Sequence, residues 1–170
     1  TIDSSGTYGH PALAAGGANN AALVFNNTGA VAVSGAGARS LTLTGSSLGD
    51  NQIRLNLIDN GTAPLSVTKS GNSLWILNPA VSNTYSGATT ISGGMLQVAS
   101  ADSAVQGLSP NSNLVFNGGV LLTTGLFNRT IGTGPGQVQF TGNGGFASSF
   151  EKLTVNLGGT LNMGTAPTAG

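Results

Sequence analysis

Ile53-Arg54-Leu55-Asn56-Leu57-Ile58-Asp59-Asn60-Gly61-Thr62-Ala63-Pro64-Leu65-Ser66-Val67-Thr68 places alternating apolar and polar side chains on either side of an Asn-Gly turn. Successive side chains on a strand point to opposite faces, so each half offers one face to a core and one to water. Asn60-Gly61 supplies the corner, because glycine reaches positive φ at little cost and asparagine tolerates it. The same unit recurs outward in both directions. Leu41-Thr42-Leu43-Thr44, Leu96-Gln97-Val98, Val138-Gln139-Phe140-Thr141, Leu153-Thr154-Val155-Asn156-Leu157 and Leu161-Asn162-Met163 alternate in the same way. Between them lie Gly35-Ala36-Gly37, Gly93-Gly94, Asn117-Gly118-Gly119, Gly132-Thr133-Gly134-Pro135-Gly136, Asn143-Gly144-Gly145 and Gly158-Gly159. No window sustains apolar residues at i, i+3, i+4 and i+7, which predicts little or no α-helix.

Composition supports many short strands joined by turns. The 170 residues include 28 glycines and 17 asparagines, and only 6% are charged, against a typical ~25%. At 39% hydrophobic the chain lacks the low-hydrophobicity, high-charge signature of disorder. Its five basic and five acidic residues leave a net charge of zero. Arg39, Arg54, Lys69, Arg129 and Lys152 form no cluster in sequence, which argues against a nucleic-acid partner or an anionic membrane surface. There is no cysteine, so a disulfide scaffold and a thiolate metal site are excluded. No stretch approaches the ~18 apolar residues of a membrane span. The opening residues lack both an initiating Met and a secretory leader pattern, and we read the chain as part of something longer.

Internal similarity points to a solenoid. Gly93-Gly94-Met95-Leu96, Gly118-Gly119-Val120-Leu121 and Gly158-Gly159-Thr160-Leu161 share one form, and Leu23-Val24-Phe25-Asn26 returns as Leu114-Val115-Phe116-Asn117. Repeats of this kind bury their apolar faces only against their neighbours. The expected fold is all-β, a right-handed parallel β-helix. A β-sandwich is the alternative, because short alternating strands also suit it. At roughly 20–25 residues per coil the chain would hold about seven coils. The odd-numbered apolar side chains of successive segments are expected to pile up inside, with outward Thr, Ser and Asn forming ladders. Residues 1–20 read as an irregular N-terminal segment or linker, 21–163 as the β-helix with its repeat core at 69–98, and 164–170 as an irregular tail.

The most specific stretch runs from Lys69 to Val98. It contains Lys69-Ser70-Gly71, a strand ending at Leu77, Asn83-Thr84-Tyr85-Ser86-Gly87-Ala88-Thr89-Thr90-Ile91, and Gly93-Gly94-Met95-Leu96. This resembles the autotransporter-associated β-strand repeat, also called the passenger-associated transport repeat. It departs from that pattern at Ala88, often glycine in the family, and in the extra Pro79-Ala80-Val81. The resemblance implies a parallel β-helical passenger region of a large exported protein, extracellular or on the bacterial outer surface. It implies a stalk-building role without catalysis. Low charge and absent disulfides would suit a chain that threads a membrane pore unfolded.

Catalytic readings fare poorly. Gly45-Ser46-Ser47-Leu48-Gly49 fits the nucleophile-elbow pattern, but that motif needs a following helix and a downstream histidine. The one histidine, His10, lies upstream, so the motif reads as a turn and His10 as a loop residue. Glycoside hydrolysis needs a carboxylate pair, yet Asp3, Asp50, Asp59, Asp102 and Glu151 are scattered. A polysaccharide-active enzyme would need several of Asp50, Asp59, Asp102, Glu151, Lys152 and Arg54 to converge. Calcium-binding nonapeptides are absent, since the Gly-Gly pairs precede apolar residues. Gly134-Pro135-Gly136 lacks the ending of a phosphate loop. Trp75 and Tyr85 could stack on a sugar but read as packing residues, Trp75 on a strand and Tyr85 at a corner. The Asn-x-Thr triplets at Asn26, Asn60 and Asn128 read as chance matches. No catalytic, metal or cofactor residue is assigned. The expected function is structural: a passenger or stalk segment that contacts neighbouring repeats or assembles into an extracellular fibre. An adhesin binding glycan or a host surface is the alternative.

Overall fold

A computed structural model describes residues 2–3, 21–32 and 35–159. The strands in chain order are β1 (Ile2–Asp3), β2 (Val24–Phe25), β3 (Arg39–Thr44), β4 (Asn51–Ile53), β5 (Leu65–Lys69) and β6 (Leu74–Leu77). They continue with β7 (Thr89–Ile91), β8 (Met95–Val98), β9 (Leu114–Phe116), β10 (Val120–Asn128), β11 (Val138–Phe140) and β12 (Gly145–Asn156). The described residues contain no α-helix.

Odd strands form one six-stranded sheet and even strands another. Every strand-to-strand pairing is parallel. The chain therefore winds from one sheet to the other and back, and each return lays a strand beside its predecessor. This is a parallel β-helix. The β-sandwich alternative fails, because its hairpin-linked strands would pair antiparallel.

Two rows of inward side chains run up the odd sheet. Leu41, Val67, Thr89, Leu114 and Val138 share one row, and Leu43, Lys69, Ile91, Phe116 and Phe140 the next. Asn51, Trp75, Leu96, Leu121 and Phe146 form the corresponding row of the even sheet. Most of these side chains belong to one buried apolar cluster between the sheets. Each buried Leu, Ile, Val or Phe contributes roughly 1.5–3 kcal/mol. Outside, Thr42, Thr68 and Thr90 align in register as a polar ladder.

Several sequence expectations are corrected. Pairing steps from Val24 to Gln52, 28 residues, but from Ile76 to Gln97 only 21, and from Ile2 to Leu43 it spans 41. With two such sheets the described residues carry six strands per sheet, where about seven coils of varying length are expected for the whole chain. Odd-length coils also reverse the parity. From Leu41 to Ile91 the inward residues of one sheet are odd-numbered, then become Leu114, Phe116 and Val138. The strand expected at Ile53–Leu57 ends at Ile53, and β4 begins earlier, at Asn51. Beyond Ile53 the chain bends into the arc between sheets, where Leu57 is still buried. Within the segment read as irregular at 1–20, Ile2–Asp3 pairs in parallel with Leu43 and Thr44. The remainder of that segment, the tail at 164–170, and the strand expected at Leu161–Met163 lie outside the described residues.

Candidate functional site

The repeat core places a chain of buried polar groups where alternation alone calls for hydrocarbon. Lys69 ends β5 on its inward parity and is fully buried. Its Nζ donates to the carbonyl oxygens of Ser70 (2.6 Å), Gly71 (3.0 Å) and Gly93 (3.0 Å). The first two lie on its own turn and the third on the next coil. Burial pushes the amine down to about 8. Gly94 closes over this ammonium with φ +60°, and a Cβ there would meet the Gly71 carbonyl oxygen at 2.5 Å and Lys69 Nζ at 2.8 Å. The lysine and the Gly-Gly pair are thus two sides of one contact.

Asn83 does the same work on the arc between β6 and β7. Its Oδ1 accepts from Leu57 N (2.7 Å) on the preceding coil, and its Nδ2 donates to the Gly107 carbonyl (2.6 Å) on the following one. One buried amide therefore joins three coils. Asn51 repeats the device at the start of β4, accepting from Leu23 N (2.9 Å) and donating to the Leu74 carbonyl (2.8 Å). An arc cannot satisfy its backbone through a ladder, and buried N–H and C=O groups left unpaired are costly.

Tyr85 is wholly buried next to Asn83. Its hydroxyl lies 2.8 Å from Thr89 Oγ1, which lies 2.8 Å from Ser112 Oγ. Ser112 Oγ donates to the Gly87 carbonyl (2.8 Å), and Ser109 Oγ donates to the Tyr85 carbonyl (2.6 Å). Arg129, one coil further, donates to the carbonyls of Ser112 (2.8 Å) and Ser109 (2.9 Å) and rests on the Phe127 ring. Burial raises the Tyr85 phenol, against the bonds from Thr89 and Ser109 and the charge of Arg129, and it lowers the Arg129 guanidinium. Gly87 is required by contact, since a Cβ would sit 2.4 Å from the Leu65 carbonyl oxygen.

The other residues singled out from sequence are dispersed. Ser47 is buried and donates to the Ala21 carbonyl while accepting from Gly49 N (3.2 Å), in a turn with no helix after it. His10 lies outside the described residues, and Asp3 is on β1. Asp50 is exposed. Asp59 caps the turn before β5, accepting from Leu65 N (2.8 Å) and Ser86 N (2.9 Å). Burial alone would raise its carboxyl, but these two donors hold it below the usual range. Asp102 accepts from Ser100 Oγ, which lowers its carboxyl. Glu151 and Lys152 are exposed on β12. Arg54 donates to Asn26 Oδ1 (2.9 Å). No two of these acids share a hydrogen-bond partner among the described residues. No group of three or more His, Cys, Asp or Glu there could hold a metal ion. A cavity of about 50 Å³ is lined by Val98, Ala101, Gln106, Leu108, Phe127, Asn128 and Arg129, and none of these is acidic. Trp75 is buried on β6 with Nε1 donating to the Thr44 carbonyl (2.9 Å), and neither it nor Tyr85 is available to stack on a sugar.

Sequence reasoning missed the inward polar set. Lys69 and Thr89 occupy the same parity as Val67 and Ile91, and that parity was the available signal. Ser109, Ser112 and Arg129 are visible only once the coil register is known.

Comparison with known proteins agrees with this architecture. Residues 67–98 match the model of the passenger-associated transport repeat. The chain is also 32% identical over 110 residues, 64% of its length, to the adhesin BmaC autotransporter of Brucella suis biovar 1 (strain 1330). It spans only 3% of that protein's length. No solved structure matches. The matched segment contains Lys69, Asn83, Tyr85, Gly87, Thr89 and Gly94, the residues of the buried polar chain, so residues 67–98 are similar to a passenger-associated transport repeat.

Proposed function

We propose that this chain is a structural coil segment of the secreted passenger of a bacterial surface adhesin. In this reading it holds other parts of that protein away from the cell and performs no chemistry of its own. The observation that carries it is the placement of the repeat's polar residues. Lys69, Asn83, Thr89 and their partners spend their hydrogen-bonding groups on neighbouring coils. A residue so used is fixing coil register, and none of its donors is left for a substrate. The relative's printed name, an autotransporter adhesin, supports export and adhesion for the whole protein. The partners of this segment are then the adjoining coils of the same chain.

The test is removal of residues 67–98 from the full-length protein in its own host. The expected result is loss of protease-resistant passenger at the cell surface, with adhesion lost in proportion. Undiminished display and protease resistance would refute the structural role. Display kept with adhesion abolished would instead make the repeat a binding site.

A further inference from the structure

Asn143 and Gly144 stand out among the three Asn-Gly pairs of the chain, the others being Asn60-Gly61 and Asn117-Gly118. Both residues are exposed in the turn between β11 and β12. The Asn143 side chain makes no hydrogen bond among the described residues, and the Gly144 N–H donates to no backbone carbonyl there. Asn60 differs. Its Nδ2 donates to the carbonyls of Gly35 (2.8 Å) and Gly37 (3.1 Å), tying the amide to the preceding coil. Asn117 and Gly118 are also exposed, and the Asn117 side chain makes no hydrogen bond among the described residues; it differs in packing its Oδ1 against Gly142 of the next coil, where a Cβ would approach within 2.6 Å.

We propose that Asn143-Gly144 is a site of spontaneous deamidation that adds an acidic group to this nearly uncharged coil stack. The Gly144 backbone nitrogen attacks Asn143 Cγ. The new N–Cγ bond forms, the Cγ–Nδ2 bond breaks, and the Gly144 amide proton leaves with the departing nitrogen as ammonia. Water then opens the succinimide at either carbonyl, yielding aspartate or isoaspartate. No oxidant or reductant enters. A side chain at position 144 would hinder the attack, and glycine has none. A free amide can rotate toward its own backbone, whereas the Asn60 amide must first give up two hydrogen bonds. The new carboxylate lies on the rim of an apolar depression lined by Phe140, Phe146, Val155 and Leu157. Isoaspartate would also lengthen the backbone just before Gly145, whose N–H holds the first link of β12 to the Gly119 carbonyl (3.2 Å).

The test compares all three pairs by peptide mass mapping after incubation of the folded protein at mildly alkaline pH, beside the same protein in denaturant. Folded, Asn143 is expected to convert several-fold faster than Asn60. In denaturant the two rates converge, because the dipeptide is the same. The acidic variant seen on ion exchange is expected to fall sharply in Asn143→Gln. Equal rates at Asn60 and Asn143 in the folded protein, an unchanged Asn143, or an acidic variant undiminished in Asn143→Gln would each overturn the proposal.

Discussion

Lys69 Nζ and the carbonyl oxygen of Gly93, on consecutive coils, are 3.0 Å apart. This bond joins the two ends of the repeat motif, which are far apart in sequence and adjacent in space. It also puts an ammonium inside an otherwise apolar row between Leu43 and Ile91.

That burial has a pH signature. The folded-state value is about 8, against 10.5 for the free side chain. Between those limits the unfolded chain binds the extra proton, so stability rises with pH across this window and the penalty is fully present below it. Lys69→Met is expected to remove this slope. It should also lower stability by about 1–3 kcal/mol at neutral pH, because buried carbonyls lose their donor. Chemical denaturation of both proteins at several pH values between these limits measures it. A slope that survives in the variant contradicts the assignment.

Asn83→Ala strands Leu57 N and the Gly107 carbonyl together. The expected loss is about 2–4 kcal/mol, since each orphaned buried group carries its own desolvation cost. Asn111→Ala, which removes an exposed bond to the Thr84 carbonyl, is expected to cost less than about 1 kcal/mol. Equal effects in urea titrations would mean that the bridge across three coils is not what stabilises the arc.

Much of this architecture is legible before any coordinates. Alternation at Leu41–Thr44, Leu65–Thr68 and Leu96–Val98 marks real strands, because a two-residue period needs only local geometry. Coil length is not local. The short step from Ile76 to Gln97 reverses which parity faces inward, and no periodicity within a single strand reports it. The buried polar chain was hidden for a related reason. Lys69, Ser112 and Arg129 look like surface residues until the register shows that each meets a carbonyl of a neighbouring coil. Of the scattered acids, Asp102 serves a local turn, whereas Asp59 also accepts from Ser86 N on the next coil, a contact no local pattern reports.

Two glycine substitutions separate contact from backbone conformation. Gly87→Ala places a Cβ against the Leu65 carbonyl and should cost about 1–3 kcal/mol through overpacking. Gly61 has open space around it but φ +64°, so Gly61→Ala should cost about 1–2 kcal/mol through the left-handed backbone alone. Hydrogen exchange distinguishes them. Gly87→Ala is expected to loosen amides on two coils, among them Val67 and Thr89, and Gly61→Ala only the turn at 59–64. Identical exchange patterns would refute the contact argument.

Tyr85→Phe deletes the first hydroxyl of the chain through Thr89 to Ser112 while keeping the ring. A loss of about 1–2 kcal/mol is expected from a buried hydrogen bond, with the fold unchanged by circular dichroism. No change in thermal stability would show that the hydroxyl chain is dispensable.

The most direct measurement of the stacked-coil account is a ladder of spin-label distances from Thr42 along the outward row of the odd sheet, with partners at Thr90, Val115 and Gln139. Adjacent strands lie about 4.8 Å apart, so the distance should grow by about that amount with each coil crossed. Distances that fail to increase in this order would contradict the parallel coil on which the functional reading depends.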